Sequence, residues 1–336
     1  MAFQTSLTRM FGLKLPVIMA PMFLVSNEAM MDSAMRAGIL GTFPTLNYRK
    51  EGELAAVLGR LNEYRTAHSC PGNYGVNLIV QKTNILYPAH LEACVEAKVP
   101  LYITSLGNPA EVISRAHAYG AKVFCDITTL EYAEKCARLG CDGFIAVTQG
   151  AGGHAGPFPA QLLVPALKKK FPDIPVVVAG GIADGAGLLS ALALGAAGAS
   201  IGTRFIASEE AAVSDEYKRA IVEYGMKDIF LTERLSGTPC SVIGTPYARK
   251  IGEKQGRVEK WLSNNKTTKG YFKMLVQLRG WKKLEQAIKP GSYATLWSAG
   301  QSAELIHDIL PCEELIARLG RELEESMEEL TRKHGK

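Results

Sequence analysis

At 336 residues the chain exceeds one average domain and fits a single large α/β domain carrying an insertion. Hydrophobic residues make up 47% and charged residues 21%, which excludes a disordered chain and allows a large buried core. The net charge of +5 is local: Arg249 to Pro290 holds twelve Lys/Arg against Glu253, Glu259 and Glu285, a surplus of nine that leaves −4 elsewhere. Seven cysteines without a CxxC pair or Cys/His cluster point away from a disulfide framework and from zinc, and toward a reducing, cytoplasmic setting. The N-terminus lacks the basic start and apolar run of a signal peptide, and no stretch of about 20 apolar residues suggests a membrane helix.

In chain order, short β-branched runs alternate with helical patterns. The strands are PVIMAP (16–21), GILGTF (38–43), YGVNLIV (74–80), PLYITS (100–105), AKVFCD (121–126), GFIAVT (143–148), PVVVAGG (175–181) and AGASIGT (197–203). Between them helices are predicted at 28–37, 50–67, 86–97, 109–119, 129–139, 160–170 and 185–194. Strands that are apolar on both faces and joined through helices run parallel, buried from both sides. Eight such units favour a closed (β/α)8 TIM barrel over a doubly wound open sheet. Thr128 to Glu131 has capping-box spacing, and Gly140 and Gly195 stand where helices end. The barrel is assigned to residues 1–210. Residues 211–290 read as a helical insertion after strand eight. Residues 291–336 read as two C-terminal helices divided by Pro311, the second packing through Leu315, Leu319, Leu323, Met327 and Leu330.

Three groups of residues converge on the carboxyl ends of these strands. Ala179-Gly180-Gly181 ends strand seven and Gly202-Thr203 ends strand eight; in a barrel these ends are neighbours, where backbone NH groups can bind a phosphate. The plainer reading makes them tight turns. The loop Gln149-Gly150-Ala151-Gly152-Gly153-His154-Ala155-Gly156 brings one imidazole to the same face, placed for proton transfer near neutral pH. Ala20, Pro21 and Met22 after strand one, and Asn77 on strand three, face the same mouth and offer hydrogen bonds to a bound ring; each alone is also consistent with packing.

The segments APM, GVNLIV, AGGHAG, VVAGGIADG, GASIGTRF and WSAGQS together resemble the nitronate monooxygenase family over nearly the whole chain. That resemblance implies FMN, with its phosphate at Gly180, Gly181, Gly202 and Thr203 and its ring near Ala20, Pro21, Met22 and Asn77. It implies His154 as catalytic base and brings Gln149 and Gln301 toward the cofactor. The implied substrates are a nitronate or nitroalkane and dioxygen. No GxGxxG follows strand one, as a dinucleotide would require. Where relatives carry Lys or Gln at the end of strand five, this chain has Asp126. Its carboxylate either opposes an anionic reduced ring, holds ribityl hydroxyls, or helps cap the next helix. The alternative function is a flavin-dependent enoyl-acyl-carrier-protein reductase, whose acidic carrier would suit the basic segment. A flavin- or sugar-phosphate-binding module without turnover is a further reading. Nucleic-acid binding is disfavoured, because Trp261, Tyr271, Phe272 and Trp281 have the spacing of an amphipathic lid, expected over the barrel mouth.

Overall fold

The eight strands read from the sequence pair side by side in parallel until the last meets the first. They are β1 (Val17–Met19), β2 (Leu40–Pro44), β3 (Asn73–Ile79), β4 (Leu101–Ser105), β5 (Lys122–Ile127), β6 (Gly143–Val147), β8 (Val176–Ala179) and β9 (Gly198–Ile201). The last pair registers Val17 with Ala199 and Met19 with Ile201, which closes the barrel and excludes the open sheet. The structure, a computed structural model, describes residues 3–81, 83–233, 239–253 and 296–335. Among the described residues no helix is long and apolar enough to cross a membrane.

Period-two alternation divides each strand between two cores. Ile18, Leu40, Leu101, Ile103, Phe124, Ile145 and Val177 fill the interior. Val17, Val76, Tyr102, Val123, Phe144 and Val178 pack outward against the helices. The amino end is plugged by α1 (Ser6–Phe11), a helix absent from the sequence reading. Leu7 joins the interior cluster, and Phe11 meets Phe124 edge to face at 6.2 Å. A chain of six residues is too short to show a period, but Thr5 and Thr8 cap it reciprocally.

The helices α2 (Glu28–Ala37), α3 (Glu53–Ala67), α4 (Tyr87–Glu96), α5 (Ala110–His117), α6 (Leu130–Arg138), α7 (Ala160–Lys170) and α8 (Gly185–Ala193) follow the predicted pattern. The cap of α6 is shifted by one residue: Thr129, not Thr128, accepts from Tyr132 N. Gly140 and Gly195 do end helices, with φ of 84° and 91°. The helix after strand eight of the barrel is α12 (Cys312–His334), which packs against α8 and α2 and so completes the ring. Its first turn is held by Glu210, whose carboxylate accepts from Cys312 N and from Ser33 Oγ. Leu315, Leu319 and Leu323 are buried, but Met327 and Leu330 are exposed, because the last turns run past the barrel's edge.

Residues 202–311 therefore lie between a barrel strand and its helix, the connection that leaves from the carboxyl face. Within this stretch stand α9 (Thr203–Ile206), α10 (Asp215–Glu223) and α11 (Pro246–Ile251). Two strands were not expected there: β10 (Ile229–Thr232) and β11 (Cys240–Ile243) form an antiparallel pair, and β7 (Gly153–His154) adds to β11. Four-residue strands carry too little alternation to be seen, and the outer partner of β11 is distant in the chain, Cys240 pairing with His154. Only a short 3-10 helix, Gln301–Leu305, precedes Pro311, not the α-helix expected. Trp261, Tyr271, Phe272 and Trp281, the expected lid, lie outside the described residues.

Candidate active site at the carboxyl end of the barrel

Register fixes which side chains share the inner ring at the open end. Pairing sets Asn77 beside Ile103, and Asp126 beside Ile145, on the interior side. The ring at the mouth is then Ala20, Asn77, Ser105, Asp126, Val147, Ala179 and the Ser200–Gly202 end. Strand residues deeper in the barrel are buried, whereas Ala20, Ser105, Asp126, Val147, Ala179 and Gly202 keep partial exposure. Since α1 seals the other end, this floor faces the open mouth. It has two halves: small residues on β8, β9 and β1, and polar side chains on β3, β4 and β5.

The polar half is one hydrogen-bonded chain. Asn77 Nδ2 donates to Ile103 O at 3.1 Å and to Ser105 Oγ at 2.7 Å. Ser105 Oγ in turn donates to Asp126 Oδ2 at 2.5 Å. Burial raises the Asp126 carboxyl to about 6, even though the Ser105 hydrogen bond favours its ionised form. Capping of α6 by Asp126 is excluded, because Thr129 performs it. Ser105 was missed as a site residue; its place two positions after the inward Ile103 was the available signal.

On the small-residue half, Gly180 and Gly181 both have left-handed φ, 115° and 79°. A Cβ on Gly180 would strike the backbone of Ala151, so this glycine is required by the His154 loop beside it. Gly181 N donates to Gly150 O at 3.1 Å, so that NH is already engaged; a Cβ at 181 would meet nothing within 4 Å. Gly202 has ordinary φ and leaves room beside Ala20 and Met22. Thr203 is buried, and its Oγ1 accepts from Gly300 N at 3.0 Å. Ala20 N donates to Ile201 O, and Met22 N to Ser26 Oγ, so neither amide is a spare donor for a ring. The floor suits a flat group: small side chains and the open space beside Gly181 stand on one side, hydrogen-bonding side chains on the other.

The His154 loop is clamped from two directions. Gln149 N donates to Phe158 O, and Gln149 and Gln301 are both exposed. Gly153 and His154 pair with Ser241 and Cys240 of β11. On the other side, Gly300 packs against Gly150 and Gly152. Gly300 belongs to the WSAGQS segment, which Ala299 N ties to Ser241 O and Tyr217 ties through its OH to Ser298 O and by stacking on Trp297 at 5.4 Å. The imidazole surface of His154 is exposed, while the protein mass around the mouth displaces bulk water and lowers its pKa below the ordinary value.

A sealed-bottom (β/α)8 barrel with an imidazole and a carboxyl brought to the inner ring and loops of its carboxyl face defines a barrel enzyme. The chain belongs to the nitronate monooxygenase family, whose model matches residues 4–322, and is a flavin-dependent oxidoreductase. It is 27% identical to a nitronate monooxygenase of Paraburkholderia phytofirmans over 97% of this chain and 96% of that one. It is 28% identical to the (3aS,4S,5R,7aS)-5-hydroxy-7a-methyl-1-oxo-octahydro-1H-indene-4-carboxyl-CoA dehydrogenase of Rhodococcus jostii, over 93% of this chain and 94% of that protein. FabK from Thermotoga maritima superposes with a TM-score of 0.83 at 29% identity, covering 98% of this chain and 99% of the other.

Proposed function

We propose that the protein binds FMN at the barrel mouth and oxidises alkyl nitronates and nitroalkanes with dioxygen to carbonyl compounds and nitrite. The observation that carries the reading is the ring of small and polar residues at the open end, with the His154 loop fastened beside it. Gly180, Gly181, Gly202 and Thr203 would hold the phosphate, while Ala20, Pro21, Met22, Ala179, Asn77 and Asp126 line the ring's place, with Gln149 at the rim. Bound flavin supplies the electron acceptor and the reaction with dioxygen.

His154 takes the α-carbon proton of a neutral nitroalkane on a ring nitrogen. Its lowered pKa keeps the imidazole neutral and ready to accept. A nitronate has already lost that proton and needs only to be oriented. The reading is tested by releasing the cofactor on denaturation and by anaerobic mixing with propionate 3-nitronate and, separately, with reduced nicotinamide. Release of FMN and bleaching by the nitronate support it; FAD, or bleaching by nicotinamide alone, refutes it.

A second reading is favoured by the Rhodococcus relative, whose name carries a CoA thioester. Here the substrate is an acyl thioester, on CoA or an acyl carrier protein, and an enoyl thioester with reduced nicotinamide is the discriminating pair.

A further inference from the structure

Among the described residues Asp126 is the titratable side chain of the inner ring, and none of those facing it carries a countercharge. Toward it face Ser105 and Ile103 from β4, and Ile145 and Val147 from β6. From α6, Tyr132 is near enough for its own ionisation to be opposed by the Asp126 charge, but its OH is committed to Gly107 O. The hydrogen bonds also have a fixed direction. Asn77 donates to Ser105 Oγ, so Ser105 must spend its only proton on Asp126 Oδ2. Oδ1 accepts nothing from the described residues, and Asp126 retains contact with the open mouth.

Resting on the flavin reading above, we propose that Asp126 is a proton-handling residue: it takes up one proton on Oδ1 when negative charge gathers over the floor as the flavin is reduced. One O–H bond forms, the proton comes from solvent, and the electrons come from the nitronate. The carboxylate and an anionic reduced ring would repel each other at this close range, and protonation is the relief open to a group with no cationic partner among the described residues. Its titration near 6 supports this, because a modest further rise carries it past neutrality. Asn77 and Ser105 are positioning residues that leave Oδ1 as the oxygen to be protonated.

The test is the midpoint potential of the FMN-loaded protein between pH 6 and 8, for wild type, Asp126→Asn and Ser105→Ala. One extra proton per two electrons is a tenfold change in equilibrium constant per pH unit, or about 30 mV. Wild type should therefore fall more steeply with pH than D126N by about 30 mV per unit. S105A, lacking the donor that favours the carboxylate, should move the onset of the steep region to higher pH. Equal slopes in flavin-loaded wild type and D126N overturn the inference and leave the flavin reading standing. If D126N binds no FMN, S105A decides: an unmoved onset overturns it, a raised onset supports it. Protein that takes up no flavin overturns both readings together.

Discussion

Replacing Gly300 by alanine tests whether the segment after β9 sets the geometry of the His154 loop. A Cβ at 300 would lie 2.5 Å from Gly150 O, 3.0 Å from Gly152 N and 3.3 Å from Ala151 C. All three are backbone atoms, so no side chain can rotate away. Restoring ordinary contact near 3.4 Å requires the loop to retreat by about 0.9 Å. Gly150 O also receives the Gly181 NH, and Gly153 and His154 are held by β11, so the displacement is passed to the imidazole. Overpacking of this kind costs about 1–3 kcal/mol. A misplacement near 1 Å at a reacting group costs about 10²-fold in rate. Turnover of a neutral nitroalkane by G300A at saturating FMN should thus fall about 100-fold, with a lower Tm. The control is Gly59→Ala in α3, where a Cβ meets nothing within 4 Å; it should be neutral or stabilise by about 0.5–1 kcal/mol. Wild-type rate and Tm in G300A would refute the clamp.

Replacing His154 with Asn should lower neutral nitroalkane turnover by about 10²–10⁴-fold and nitronate turnover less, measured at matched FMN content. Because the surrounding protein displaces water and lowers its pKa, wild-type activity on the neutral substrate should hold at pH 6.5 and decline only as pH drops through the lower value; a midpoint above 6.5 contradicts this. Glu210→Ala removes the acceptor of Cys312 N and Ser33 Oγ and should destabilise by about 1.5–3 kcal/mol in thermal melts, with a change under 0.5 kcal/mol counting against its role as the α12 cap. Asp308 pairs with buried Arg204 at 3.0 Å and with Arg318 at 2.6 Å. Burial alone would raise its pKa, but the two guanidiniums outweigh it and hold the carboxyl below the usual range. Its contribution is present above the unfolded value near 3.9 and is lost as pH falls through the lower folded value. Asp308→Asn should therefore cost about 2 kcal/mol near pH 7, less than the 3–5 of a broken buried pair because Ala207 O and Asp308 O still bond Arg204. The Tm difference from wild type should close at the acid end, and a gap that persists there would contradict the linkage.

The barrel is legible in the amino-acid order alone. Each strand and helix announces itself within its own residues, through β-branched runs such as Val176–Ala179 and glycine stops such as Gly140 and Gly195, and their alternation admits few topologies. It also located the glycine turns and the His154 loop, because these sit at strand ends that parallel topology sends to one face. Tertiary structure decided what those residues touch. Ser105 carries no motif, and it enters the site only because β3, β4 and β5 align in register, placing it between Asn77 and Asp126. Gly180 looks like a phosphate turn in the sequence, yet its lack of a Cβ is already demanded by Ala151. The strands β10 and β11 were invisible because four residues carry no period, and the outer partner of β11, His154, is distant in the chain. Local propensity is written residue by residue, whereas a close approach between loops exists only once the barrel has closed and brought their backbones together.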